Sequence, residues 1–197
     1  MDDRRIAEII EAGTAEFTAE CYELYGLPPL GSLVKTSAGG IDVYGILYSA
    51  STSSIDPGRR PIARGRDEPD EEAVYRSNPQ LGKLLRSEFS SLIVGFRENG
   101  SIKQRLPPAP ARIHSFVFLC SDEEVRAFSR SFDFLTVLLN ARVQAPVDEV
   151  TAAALRLFSK ASAEPGRFLV LAGKEISVVL GSDYGRLRAI LPRLAAE

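Results

Sequence analysis

Four arginines and five carboxylates follow one another in residues 51–79, the longest part of the sequence without a steady helix or strand period. They are Arg59, Arg60, Arg64 and Arg66, and then Asp67, Glu68, Asp70, Glu71 and Glu72. Guanidinium groups bind phosphates and carboxylates through paired hydrogen bonds, so the arginines can hold an anionic ligand. The adjacent carboxylates would repel a polyanion, so nucleic acid is a possible partner but not the favoured one.

Three interpretations of this segment stay open. The arginines could pair with the neighbouring carboxylates in a solvated loop, at about 0–1 kcal/mol for each pair. The segment could instead dock a protein, or bind a phosphate or nucleic acid. Long loops are commonly functional, and Ile62, Val74 and Tyr75 add apolar surface between the charges, so we predict a contact with another protein or a second copy. The candidate interaction residues are Arg59, Arg60, Arg64, Arg66, Tyr75 and Arg76.

No other residues form a motif that indicates a catalytic reaction. His114 is the only histidine, and without a G-x-S-x-G motif it has no serine partner for a triad, so we expect a structural role within a strand. Cys21 and Cys120 form no C-x-x-C motif, which predicts two reduced, buried thiols. No spacing matches a metal site. We therefore expect no catalytic residues, no metal and no cofactor.

Charge and hydropathy limit the classes of partner. The 197 residues carry a net charge of −2, which gives no overall reason to expect nucleic acid or an anionic membrane. The start of the chain does not resemble a signal peptide, and no apolar run approaches the roughly 20 residues needed to cross a bilayer. These features predict a cytoplasmic protein without a membrane partner.

About seven short strands are predicted before residue 120. Alternating, β-branched and aromatic residues indicate strands at Glu16–Tyr22, Ile41–Ser49, Phe89–Phe96, Ile102–Leu106 and Ile113–Leu119. Glycines that adopt positive φ at low cost predict hairpin turns at Ala38-Gly39-Gly40 and Asn99-Gly100. Short strands with this much loop close most easily as a small barrel. Residues 1–120 are therefore predicted to form a β-barrel domain with an irregular insertion at 51–79.

Residues 121–197 are predicted to form a helical domain. Ser121 and Glu124 fit a capping box, and the apolar spacing that follows predicts one helix as far as Asn140. Residues 165–180 fit either one helix or two strands, and we favour the helix because its flanking proline and glycine suit helix ends. Other helices are predicted at Pro79–Arg86, from Pro146, and at Tyr184–Ala195. Strands followed by helices predict the α+β class.

Four stretches of the N-terminal region resemble a known family. They are Ile6–Glu11, Glu16–Glu20, Gly31–Lys35 and Val43–Tyr48. Together they resemble the HAS-barrel, the small six-stranded barrel that precedes the motor domains of HerA-type translocases and F-type ATP synthase subunits. The resemblance covers residues 1–60, and it extends to residue 119 if 51–79 is an insertion. The whole chain also resembles proteins of cyanobacterial type that join such a barrel to a helical tail.

The phosphate-binding motif of those motors is missing from this sequence. In G-x-x-x-x-G-K-[ST], backbone amides cradle nucleotide phosphates. Neither Leu81-Gly82-Lys83-Leu84 nor Ala172-Gly173-Lys174-Glu175 has the upstream glycine or the hydroxyl residue. We therefore predict a non-enzymatic interaction or assembly module built on a HAS-like barrel without its motor. The alternative is an accessory protein of a nucleic-acid translocase or ATPase complex.

Overall fold

A closed antiparallel β-barrel is followed by a helical region in a computed structural model that describes residues 5–195. The strands are β1 (Arg5–Ala12), β2 (Glu16–Cys21), β3 (Leu33–Ala38), β4 (Ile41–Ser54), β5 (Leu85–Glu98), β6 (Ser101–Lys103) and β7 (Phe116–Leu119). Six of them close the barrel in the order β2-β1-β7-β3-β4-β5, because β5 pairs back with β2. Strand β6 pairs with β5 alone. The predicted α+β class is confirmed.

Apolar residues at every second position fill the barrel. In β2, Phe17, Ala19 and Cys21 are buried and the residues between them are more exposed, as a period of two predicts. Gly45 makes room for one of these rings, because a Cβ atom there would lie 3.0 Å from Phe17. The barrel therefore has a packed interior rather than a channel through its centre.

Strands β4 and β5 continue beyond the barrel as a two-stranded arm. Their pairing extends to Ser54 opposite Leu85, whereas β2 contacts β5 only as far as Glu88. The arm carries residues 55–84 at its end. The proposed insertion therefore leaves the barrel wall intact, because it lies between two strands that are already paired.

The insertion is more ordered than the sequence predicted. Residues 51–54 belong to β4, and the insertion contains helix α1 (Glu71–Ser77). Helix α2 (Leu81–Leu84) follows it directly. The helix predicted over Pro79–Arg86 is limited to α2, because the chain from Leu85 onward pairs with β4. Residues 55–70 contain no helix or strand, as predicted.

Five helices follow the barrel within residues 5–195. They are α3 (Asp122–Phe128), α4 (Phe134–Leu139), α5 (Val147–Ala161), α6 (Pro165–Leu180) and α7 (Tyr184–Leu194). The predicted capping box at Ser121 and Glu124 is present, with both reciprocal hydrogen bonds. The favoured helix over 165–180 is confirmed as α6. Among the helices of residues 5–195, none combines the length and the hydropathy needed to cross a membrane.

The single helix predicted as far as Asn140 is wrong, because the chain breaks between α3 and α4. The side-chain amide of Gln104 fills this break. Its nitrogen donates to the carbonyl oxygens of Phe128 and Ser131 at 2.7 and 3.1 Å, and its oxygen accepts from the Phe134 N–H at 2.9 Å. Helix ends leave such backbone groups without partners. One side chain thus satisfies the end of one helix and the start of the next.

A second apolar core joins the helices to the outside of the barrel. Tyr44 of β4 packs against Phe128 of α3, with ring centroids 5.2 Å apart. Helix α5 also meets the main chain of the turn before β3, because a Cβ atom on Gly31 would lie 2.4 Å from the Ala154 nitrogen. The two regions therefore share a packed interface. The predicted division at residue 120 into separate domains stays a prediction.

Two predicted strands are shorter than expected. The strand predicted over Ile113–Leu119 begins only at Phe116, and His114 lies in the preceding turn with a φ of +69°. The prediction that His114 lies within a strand is therefore wrong. The strand predicted over Ile102–Leu106 is reduced to β6, because Gln104 leaves the sheet to fill the helix break.

Candidate docking site at the end of the arm

Main-chain hydrogen bonds close the end of the arm and fix where the arginines begin. The Ile55 N–H donates to the Leu84 oxygen at 2.9 Å, which holds the two ends of residues 55–84 together. The Asp56 carboxylate then accepts from the Gly58 N–H at 2.9 Å, and the Arg59 N–H donates to the Asp56 oxygen at 3.0 Å. This turn directs the arginine-rich chain back across α2.

Helix α1 ties the far side of the insertion to the barrel. Asp70 caps α1 by accepting from the Ala73 N–H at 2.7 Å. The Tyr75 ring packs edge-on against Tyr25, with centroids 6.2 Å apart, and their hydroxyls are hydrogen-bonded. That hydrogen bond, followed by burial, raises the pKa of Tyr75. The N–H of Tyr25 donates in turn to the Ser87 hydroxyl on β5 at 2.9 Å.

The arginine-rich chain also contacts α1 directly. The Arg64 guanidinium donates to the Asn78 side-chain oxygen at 3.1 Å, and Asn78 donates to the Val74 oxygen at 2.9 Å. Gly65 passes close to the same helix, because a Cβ atom there would lie 3.1 Å from a Val74 methyl group. These contacts hold the arginine-rich chain against α1 at the end of the arm.

An open groove with a volume of about 470 Å³ lies between the arginine-rich chain and α2. Its apolar lining consists of Ile55, Pro61, Ile62, Leu81, Leu84 and Leu85. Its cationic lining consists of Arg59, Arg60, Arg64 and Lys83, and Asp56 is the acidic member. Ile62 is 71% exposed. An apolar floor with a cationic rim suits an apolar ligand that carries negative charge.

The arginines around the groove have no acidic partner among residues 5–195. No carboxylate oxygen there lies within 4.0 Å of a side-chain nitrogen of Arg59, Arg60, Arg64 or Arg66. Arg76 forms the acidic contacts of this segment instead, at 3.5 Å to Asp70 and 3.5 Å to Glu72. Of the three interpretations, internal pairing of the four arginines is therefore not what the structure shows.

The structure places three of the six candidate interaction residues at the groove and the other three outside it. Arg59, Arg60 and Arg64 line the groove, whereas Arg66 is exposed outside its lining. Tyr75 and Arg76 lie on α1, where they serve the contacts with Tyr25 and with acidic residues described above. Half of the six predicted interaction residues therefore line the groove.

Sequence reasoning missed the other wall of the groove. Leu81, Lys83 and Leu84 belong to α2, and pairing of β4 with β5 brings them next to the arginines. Lys83 stood out in the sequence only as part of an incomplete phosphate-binding motif. The available signal was Lys83 between Leu81 and Leu84, directly after residues 51–79.

The remaining titratable candidates lie away from the groove. His114 contacts Glu8, and this hydrogen bond lowers the pKa of the Glu8 carboxyl despite partial desolvation. Cys21 and Cys120 are free and buried, and burial raises the pKa of Cys21 to about 11. Within residues 5–195, no three histidine, cysteine or acidic side chains are grouped to hold a metal ion.

The fold and the groove define an α+β protein whose barrel carries a cationic, partly apolar site on an arm. Comparison of the sequence with models of known protein families finds no match, and comparison with curated proteins finds none either.

Proposed function

We propose that this chain is a non-enzymatic interaction module in which a HAS-like barrel, without a motor domain, docks an acidic and apolar segment of a partner protein. The groove at the end of the arm carries this proposal. Three arginines and Lys83 surround exposed apolar side chains there, and none of the four has a carboxylate partner among residues 5–195. Exposed apolar surface with a charged rim is characteristic of protein contacts.

The shape of the groove favours a peptide segment over a small anion. A free phosphate would meet the guanidinium groups but would leave the apolar side chains of Ile62 and Leu84 exposed. An apolar side chain from a partner would cover them, and flanking carboxylates would reach the rim. The acidic stretch of this chain does not occupy the groove, because none of its five carboxylate residues is among the residues that line it.

Two features support a HAS-like assignment. The barrel has six antiparallel strands, the number that the resemblance implies. Residues 55–84 lie between two paired strands, so they can be an insertion in such a barrel. The two free, buried thiols support the predicted cytoplasmic location.

Two synthetic peptides test the docking proposal, one of alternating leucine and glutamate and the other of alternating leucine and lysine. In a titration followed by methyl NMR, the acidic peptide should shift the signals of Ile55, Ile62 and Leu84, and the basic peptide should not. Ile62→Ser should weaken binding without unfolding the chain, because this side chain is exposed. Equal shifts with both peptides, or none with either, would overturn the proposal.

A nucleic-acid accessory role is the second candidate, because four arginines within eight residues have no acidic partner in the described chain. Binding of a short duplex or single strand at low salt should be weak on our proposal. Tight binding that falls linearly on a log–log salt plot, and is lost when Arg59 and Arg60 become alanine, would favour the nucleic-acid role instead.

A further inference from the structure

Helix α6 presents an apolar stripe to solvent. Val170, Leu171 and Val178 are 59%, 42% and 73% exposed. The opposite side of the helix buries Phe168, Ala172 and Ile176 in the second core. With 3.6 residues per turn, Leu171, Lys174 and Val178 lie along one line of the helix surface. Exposed apolar side chains on both sides of Lys174 indicate a contact that the single chain does not satisfy.

The stripe is complementary to a second copy of itself. When two α6 helices lie antiparallel about a two-fold axis between positions 174 and 175, Lys174 of one copy faces Glu175 of the other. The same axis places Leu171 opposite Val178 of the second copy. Each of these pairs occurs twice, because a two-fold interface uses the same surface on both chains.

The ends of the helix fit the same arrangement. Arg167 near the start of α6 would face the turn at Gly181–Asp183 of the second copy, where the last carbonyl groups of the helix are partly negative. Leu191 of α7 is exposed and lines a groove together with Val170 and Lys174, so it can enlarge the contact. Lys174 and Glu175 of each copy therefore both face an opposite charge. A partner that carries charge of one sign would leave one of these two residues facing a like charge.

We propose that α6 is a homodimer interface, in which a second copy of this chain packs its own α6 antiparallel on the stripe. The helix is about 24 Å long and about 10 Å wide. That footprint is smaller than the roughly 800 Å² for each partner in a typical stable interface. We therefore expect a weak dimer that forms only at high protein concentration. This inference does not depend on the function proposed for the arginine groove.

Sedimentation velocity of the full chain over a range of concentrations tests the interface. The wild type should show a monomer–dimer equilibrium. Lys174→Glu places two like-charged pairs at the axis and should weaken dimerisation about tenfold or more. Adding Glu175→Lys restores opposite charges and should restore the dimer. Lys160→Glu changes the same charge on α5 and should leave dimerisation unchanged.

Val178→Asp provides a second variant, because a charge without a partner, placed opposite Leu171 of the second copy, should abolish the dimer. The side chain is exposed, so circular dichroism of the variant should match that of the wild type. A wild type that stays monomeric would overturn the proposal. A dimer that is insensitive to Val178→Asp, or a charge exchange that fails to restore association, would also overturn it. Ile62→Ser should leave the dimer intact, which separates this interface from the groove.

Discussion

Replacing Gly31 with alanine tests whether α5 packs directly on the main chain of the turn that leads into β3. Gly31 has a φ of +84°, and a Cβ atom there would lie 2.4 Å from the Ala154 nitrogen and 2.7 Å from the Ala153 carbonyl carbon. A left-handed conformation costs a non-glycine residue about 1–2 kcal/mol. Overpacking typically adds about 1–3 kcal/mol. Gly31→Ala should therefore lower the free energy of unfolding by about 2–5 kcal/mol.

Gly40 provides a matched control for the backbone conformation. Its φ is +87°, but no atom lies within 4 Å of the position that a Cβ atom would take. Gly40→Ala should therefore show only the conformational cost of about 1–2 kcal/mol. Urea denaturation of the wild type and both variants, followed by circular dichroism, measures the difference. Equal losses of stability in the two variants would refute the direct contact between α5 and Gly31.

Three further predictions concern the scaffold. Gln104→Ala should lower the free energy of unfolding by about 2–3 kcal/mol, because three hydrogen bonds at the helix break are lost; denaturation curves that match the wild type would contradict this. Burial disfavours ionised Glu124, but its hydrogen bonds with Lys35 and the Ser121 N–H outweigh burial and hold its pKa below 4.5. Its stabilising contribution is thus present above pH 4.5 and disappears as pH falls through the lower folded pKa, so Glu124→Gln should show a smaller loss of stability in acid than the wild type. Because burial raises the pKa of Cys21 to about 11, a thiol reagent should modify it slowly until urea unfolds the chain.

The features that could be predicted from the sequence are those whose cause lies within a few residues. The Ser121 hydroxyl and Glu124 carboxylate satisfy nearby backbone amides, so the capping box can be recognised without knowledge of the fold. Asn99 and Gly100 adopt the positive φ values that a two-residue hairpin requires. Alternating burial along β2 follows in the same way from its alternating residue types.

The features that escaped prediction depend on residues that are distant in sequence. The apolar spacing after residue 121 suits a continuous helix, but the side chain of Gln104, directly after β6, supplies hydrogen bonds that stabilise a break. The groove also depends on contacts between residues that are distant in sequence. The sequence identifies Arg59 and Arg60 as candidate ligand-binding residues, but the pairing of β4 with β5 brings Lys83 and Leu84 to face them.

Reversing the charge on the rim of the groove tests most directly whether its cations select an acidic partner. Calorimetric titration would compare the wild type with a variant that carries Arg59→Glu and Arg60→Glu, using the leucine–glutamate and leucine–lysine peptides. The wild type should prefer the acidic peptide and the variant should prefer the basic one, with both preferences reduced by salt. Equal affinity of the wild type for the two peptides, or an unchanged preference in the variant, would contradict a docking function of this groove.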